Sequence, residues 1–159
     1  SFRGLCGQAG GAGEGAQKSA GVVQAVQATP GAIGYVEKSP AAAAGLPFAQ
    51  IDTGSGAVEL TDDNAKKAIA SAKFAKDGND LALDLKSLYS TKEAGAYPLV
   101  LATYEIVCSK GYDADTAAAV KSFLKVAANQ GQANLSKAGY IPLPDAFKAR
   151  LLQSVDAIA

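Results

Sequence analysis

The glycine-rich run GGAGEGAQKS at residues 10–19 is the first stretch whose residue types could do chemistry. A Walker A loop needs glycine directly before the Lys-Ser pair and again five residues earlier, but Gln17 and Ala12 occupy these positions. The run also fits the loose dinucleotide pattern GxGxxG/A, yet no predicted strand precedes it, which excludes that interpretation as well. Two interpretations stay open: the loop serves packing and helix capping, or its N–H groups face an anion.

The two cysteines are the next candidates. Cys6 and Cys108 form no CxxC pair, and the chain has no histidine that could activate a thiol nucleophile. We therefore expect Cys108 to be a buried core residue or half of a disulfide. A bond between Cys6 and Cys108 is one pairing; a partner outside this chain or a free thiol is the alternative.

Four carboxylates, Asp62, Asp63, Asp113 and Asp115, lie at predicted helix starts. Capping and the helix macrodipole explain them there without a metal-binding or acid–base role. With no histidine and no ligand spacing, the sequence predicts no metal site, no cofactor and no catalytic residue. The 15 Lys and Arg residues balance 15 Asp and Glu residues, and this neutrality argues against a nucleic-acid partner.

Apolar spacing and capping residues predict the helices that position the candidate residues named above. The first helix is predicted to start at Ser19 as its N-cap and to stop before Pro30. Its buried face carries the valines at 22, 23 and 26. Later helices are predicted over Ser39–Gly45, over Asp62–Phe74 after the N-cap Thr61, over Ala114–Asn129 between Asp113 and the C-cap Gly131, and after the N-cap Asp145.

Short apolar runs between these helices predict strands. They cover Ala32–Val36, Phe48–Ile51 and the alternating leucines at 81, 83 and 85. The strongest strand signal is Tyr97–Cys108, in which Leu99–Ala102 is apolar throughout, as expected of a strand buried on both faces. Helices that alternate with short strands give an α/β fold class.

Four motifs, taken in chain order, resemble the second half of the phosphate-binding proteins (PstS family) of bacterial phosphate ABC transporters. They are GEGA at residues 13–16, PGAIGYVE at 30–37, YPLV with TYEIVC between residues 97 and 108, and GYIPLPD at 139–145. The second and the last of these motifs at this separation are specific together. The resemblance runs from about Gly13 to Ala159.

The resemblance implies part of a two-lobed periplasmic-binding-protein (type II) fold whose N-terminal half is absent. Such a receptor holds inorganic phosphate in the cleft between two α/β lobes, delivers it to the membrane subunits of an ABC permease and performs no chemistry. It implies an extracytoplasmic location at the cell envelope, with a lipid anchor in the full-length parent.

The family's ligand motif, Arg-Ser-Asp-x-Ser-Gly-Thr, has no counterpart in this sequence. Arg3 is followed by Gly-Leu-Cys, so no phosphate ligand is carried over to this chain. Gly13, Gly15 and Ser19 are expected only at the rim of the cleft. Two alternatives stay open: a binding protein for another oxyanion such as sulfate or molybdate, and a non-binding interaction or structural module on the same scaffold.

The resemblance also implies how the chain divides between the lobes. Residues 1–96 would form the later part of the second lobe, with the poorly matching residues 1–12 expected to be flexible. Residues 97–159 would contain a crossover strand, with Thr103 and Tyr104 at the crossover, and helices of the first lobe. Apolar faces left exposed by this division are expected to be covered by a complementing segment or by self-association.

Overall fold

The structure is a computed structural model that describes residues 13–159. The chain divides at Pro47 and Phe48 into two compact units, which are described separately. The elements of the first unit are α1 (Lys18–Ala28) and α2 (Lys38–Ala43). Those of the second unit are β1 (Ile51–Asp52), β2 (Ala57–Val58), α3 (Asp62–Ser71), β3 (Lys73–Phe74), β4 (Leu83–Asp84), α4 (Leu85–Tyr89), α5 (Ala114–Ala128), two short 3₁₀ turns (Gln130–Asn134 and Ser136–Ala138) and α6 (Asp145–Asp156).

In the first unit, α1 buries Val23 and half-buries Val22 and Val26, which confirms the predicted apolar face. The helix ends before Pro30, also as predicted. The predicted strand Ala32–Val36 is wrong: these residues form no strand, and the side chain of Ile33 is 83% exposed. A strand needs a neighbour for its backbone hydrogen bonds, and none of the described residues pairs with this run.

The centre of the second unit is built on α3. The hydroxyl of Thr61 accepts a hydrogen bond from the Asn64 N–H and caps the helix as predicted. Ala68 on α3 packs with Leu88 on α4 and with Ala96 in a small fully buried cluster. Small side chains at these positions let the backbones approach closely, and Leu88 fills the remaining space.

Two short antiparallel pairs flank this centre, β1 with β2 and β3 with β4. The turn between β1 and β2 is held by Asp52, whose carboxylate accepts the N–H groups of Gly54 and Gly56. The predicted strand Phe48–Ile51 is paired only at its last residue. The helix predicted to Phe74 ends at Ser71, because Lys73 and Phe74 pair with β4 instead.

At the C-terminal end, α5 and α6 carry half-buried apolar faces. Asp113 caps α5 as predicted, with its carboxylate accepting from the Thr116 N–H at 2.9 Å. Three predicted caps are wrong. Gly131 lies within a 3₁₀ turn after α5 has ended at Ala128, and Asp145 is the first residue inside α6 rather than its cap. Ser19 lies inside α1, whose N-cap position is Gln17.

The predicted strand Tyr97–Cys108 is also wrong, because no residue of this run belongs to a strand. Tyr97 is buried, and its N–H donates to the Asn64 carbonyl. Val100 still packs against the core cluster, but beyond it the chain leaves the core, so that Leu101 is 80% exposed and Ile106 is 94% exposed. The expectation that Leu99–Ala102 is buried on both faces therefore fails, since no described strand lies beside it.

The mixture of helices with short strands confirms the α/β class for residues 13–159. None of the helices in this range is both long and apolar enough to cross a membrane.

Candidate functional site: the glycine-rich rim and the 97–108 segment

The predicted rim lies at the start of α1. Gly13 and Gly15 are exposed in an irregular stretch that leads to the helix, and Ser19 occupies the first helical turn, partly buried. Gln17 at the N-cap makes no side-chain hydrogen bond. Lys18 has a positive φ of 55°, a left-handed conformation that costs a non-glycine residue about 1 kcal/mol or more.

The hydroxyl of Ser19 is already engaged. It donates a hydrogen bond to the carboxylate of Glu37, the residue that precedes α2. This bond is the main reason why the pKa of Glu37 lies below its ordinary value, and the backbone N–H of Glu37 acts in the same direction. The Ser19 hydroxyl therefore faces a carboxylate, which opposes the approach of an anion to this hydroxyl.

Gly34 explains why Glu37 can reach Ser19. A Cβ placed on Gly34 would lie 2.8 Å from Val26 Cγ2 and 3.1 Å from Val22 Cγ1, both on α1. Only glycine lets the connection after α1 lie this close to the helix. Glu37 is not predicted as the partner of Ser19 from the sequence, because 18 positions separate the two residues. The only sequence signal was its place in the PGAIGYVE motif.

Thr103 and Tyr104, the predicted crossover residues, lie in the exposed part of the 97–108 segment. The phenol oxygen of Tyr104 accepts a hydrogen bond from the Leu83 N–H at 3.0 Å, which ties the segment to β4. Within residues 13–159, no backbone N–H group from Leu101 to Val107 donates a hydrogen bond to another residue. The segment thus combines exposed apolar side chains with unused backbone donors.

Cys108 is exposed, which contradicts the expectation of a buried core thiol. Its backbone N–H donates to the phenol oxygen of Tyr112 at 2.8 Å. Cys6 lies outside the described residues, so the pairing of Cys6 with Cys108 stays a prediction. Thr103, Tyr104 and Cys108 belong to one segment of the second unit, whereas Gly13, Gly15 and Ser19 belong to the first unit.

The predicted carboxylates lie where capping places them. Asp62 and Asp63 occupy the first turn of α3, and Asp113 caps α5. The N–H and hydroxyl of Thr116 donate to Asp113 and hold the pKa of its carboxyl below the usual range. Across residues 13–159, no three Asp, Glu or Cys side chains are grouped so that they could hold a metal ion.

Comparison with known proteins identifies a family that this chain matches. Residues 4–130 match the family described as PBP superfamily domain. Over 152 residues the chain is 49% identical to phosphate-binding protein PstS 3 and 46% identical to phosphate-binding protein PstS 2, both of Mycobacterium tuberculosis. These alignments cover 94% of this chain and 41% of each relative.

The chain is also 32% identical, over 146 residues, to the phosphate-binding protein PstS of Methanocaldococcus jannaschii. That alignment covers 87% of this chain and 38% of the relative. The chain therefore spans about two fifths of the length of the relatives that it matches. The resemblance to PstS proteins that the sequence motifs indicated is confirmed.

Proposed function

This chain belongs to the PBP superfamily, and on that premise we propose that it is part of a receptor that captures inorganic phosphate for an ABC importer. The observation that carries the proposal is that relatives with 49%, 46% and 32% identity are all named phosphate-binding proteins. The similarity extends over almost the whole chain rather than over one local motif. Since these relatives are named as binding proteins, the proposal includes no catalytic step.

In this proposal the groups that grip phosphate come from polypeptide outside these 159 residues. Two features support this location. The family's ligand motif has no match here, and more than half of each relative's length lies beyond the aligned region. In addition, the one hydroxyl expected at the rim, that of Ser19, donates to Glu37. A carboxylate beside this hydroxyl disfavours a phosphate at the same point.

The 97–108 segment is the crossover between lobes in this proposal. Residues 1–96 belong to the second lobe, and residues 97–159 belong to the first, with Thr103 and Tyr104 where the chain passes between them. Exposed Leu101 and Ile106 support this assignment, because apolar side chains of this size are usually covered in the finished protein. In a polypeptide of the relatives' length, a complementing segment covers them.

Calorimetric titration tests the ligand. A polypeptide of the relatives' length that contains this sequence is expected to bind phosphate with micromolar or tighter affinity and to ignore sulfate. The 159-residue chain alone is expected to give no binding heat with either anion. Tight phosphate binding by the short chain would contradict the proposed location of the gripping groups. A longer polypeptide that prefers sulfate or molybdate would contradict the ligand class.

Hydrogen exchange tests the crossover. The amides of residues 101–107 are expected to exchange at nearly unprotected rates in the 159-residue chain, because they donate no hydrogen bond to any of residues 13–159. In the longer polypeptide the same amides are expected to be protected. The amides of α3 serve as the internal control and are expected to be protected in both. Equal, rapid exchange of 101–107 in both proteins would refute the crossover assignment.

The proposed partner beyond phosphate is the membrane permease of the importer, and the proposed location is extracytoplasmic. Co-purification of the longer polypeptide with permease subunits from membranes tests the partner. Labelling of intact cells with a membrane-impermeant thiol reagent at Cys108, which is exposed, tests the location. Lipid anchoring is part of the same proposal, and the intact mass of the natural protein measures it directly.

A further inference from the structure

The loop between β3 and β4 contains the one Asp-Gly pair of this sequence, Asp77-Gly78. The chain bends at residues 75–79, and every residue from 75 to 80 is exposed. Gly78 has a positive φ of 93°, the left-handed conformation that glycine supplies in turns, and a Cβ placed on it would meet no atom within 4 Å. The Asp-Gly peptide bond therefore lies in an open turn with free space around the glycine.

The two groups of this pair that could react with each other are not held by other residues. The carboxylate of Asp77 makes no hydrogen bond or ion pair within the described chain, and the N–H of Gly78 donates to none of its residues. The other aspartate of the loop differs. The carboxylate of Asp80 accepts a hydrogen bond from the Ala82 N–H at 3.3 Å and lies 3.9 Å from the ammonium group of Lys76.

We propose that Asp77-Gly78 is a site of spontaneous modification, at which aspartate is converted to isoaspartate through a cyclic imide. The Gly78 nitrogen attacks the side-chain carboxyl carbon of Asp77. A C–N bond forms and closes the ring, and the carboxyl hydroxyl leaves as water with the proton of the Gly78 N–H. Water then opens the ring: attack at the main-chain carbonyl gives isoaspartate, whereas attack at the side-chain carbonyl restores aspartate.

The reaction releases one water molecule and consumes one, so it needs no oxidant, cofactor or second protein. It depends on an exposed carboxyl group, a following glycine and an amide nitrogen that is not engaged elsewhere. It does not depend on phosphate capture, and a failure of phosphate binding would leave the proposal intact.

The conversion changes a contact between this loop and α6. Arg150 on α6 lies over the ring of Phe74, with its Cζ 4.1 Å from the ring centroid. Its Nη2 donates to the carbonyl oxygens of Lys76 and Gly78, at 3.4 Å and 3.5 Å. These two acceptors flank residue 77. Isoaspartate adds one carbon to the main chain between them, so we expect Arg150 to lose one of the two hydrogen bonds.

Ageing of the folded 159-residue chain in a mildly acidic buffer tests the site. Peptide mapping with electron-transfer fragmentation distinguishes isoaspartate from aspartate at each position. Isoaspartate is expected at residue 77, at a rate within about threefold of that in a free peptide of residues 73–82, because the folded loop exposes both reacting groups. Asp80 is the internal control and is expected to stay unchanged. A slower rate in the folded chain, or earlier modification of Asp80, would overturn the proposal.

Two variants test the mechanism and its effect on α6. Gly78→Ala crowds the attacking nitrogen with a methyl group and is expected to slow the conversion at least about fivefold. Asp77→Glu keeps the charge but requires a larger ring, so it is expected to abolish the conversion. Ageing is expected to lower the urea midpoint of the parent chain and not that of Asp77→Glu. Equal rates in the parent and Gly78→Ala would overturn the mechanism, and an unchanged midpoint of the aged parent would overturn the effect on Arg150.

Discussion

Residues 61–98 and residues 99–108 are both rich in apolar side chains, but only the first region buries them. Leu88 and Ala96 are almost completely inaccessible, whereas Leu101 and Ile106, a few residues farther along, are almost completely exposed. The first region has α3 and α4 to pack against each other. The second has no neighbouring strand among residues 13–159. Burial of an apolar side chain therefore depends on an available partner surface and not on hydropathy alone.

The largest expected effect is the difference in stability loss when two leucines, one buried and one exposed, are replaced by alanine. Leu88→Ala is expected to lower the free energy of unfolding by about 3 kcal/mol, because it leaves a cavity beside Ala68 and Ala96. Leu101→Ala is expected to change it by less than about 0.5 kcal/mol, because this side chain is exposed. Urea unfolding at low protein concentration measures both. Similar losses for the two variants would mean that the two regions do not differ in burial.

Two glycines extend the contrast to the first unit. Gly34→Ala is expected to destabilise the chain by about 1–3 kcal/mol, because the new methyl group would overlap Val26 on α1. Gly21→Ala, inside α1, meets only ordinary contacts and is expected to stabilise the chain by about 0.5–1 kcal/mol. Urea unfolding gives the sign of each change. A gain in stability for both variants would show that the connection after α1 does not lie against the helix.

A smaller difference in stability is expected between alanine variants of two threonines, one in each region. Thr61→Ala removes the hydroxyl that caps α3 and is expected to cost about 1 kcal/mol. Thr103→Ala lies in the exposed region, where its hydroxyl makes no hydrogen bond to the described residues, and is expected to cost almost nothing. Thermal unfolding followed by circular dichroism measures both midpoints. An equal fall in the two midpoints would contradict the capping role of Thr61.

The smallest expected effect is the pH-dependent contribution of the Asp113 carboxylate to stability. Hydrogen bonds from Thr116 lower the pKa of Asp113 in the folded chain below its ordinary value of 3.8. The stabilisation is therefore complete above the unfolded-state pKa and is lost as the pH falls through the lower, folded-state pKa.

Asp113→Asn removes this ionisable group, so the gap between its urea midpoint and that of the parent chain is expected to close as the medium becomes acidic. Asp115→Asn is the matched control in the same helical turn, since its carboxylate accepts no capping hydrogen bond. A gap for Asp113→Asn that is constant with pH would contradict the assigned cause.

Local signals in the sequence predicted helices well and strands poorly. Thr61 and Asp113 were identified as caps because capping depends on hydrogen bonds within one turn. The strands predicted at 32–36 and 97–108 do not form, because a strand requires hydrogen bonds to a distant segment and local sequence signals do not show whether one is available. Ser19 is a predicted rim residue, but its partner Glu37 is not predictable from the sequence, since the connection over Gly34 determines the distance between them.

Apolar spacing, capping residues and motifs are local features of the chain, and they were sufficient to predict the α/β class, the positions of most helices and the similarity to phosphate-binding proteins. The three-dimensional fold was needed to show which apolar residues are covered and that Glu37 accepts the hydrogen bond of the Ser19 hydroxyl. It was also needed to show that the backbone N–H groups of residues 101–107 donate to none of residues 13–159. These outcomes depend on which surfaces meet, and the free energy of burial exists only where two surfaces come into contact.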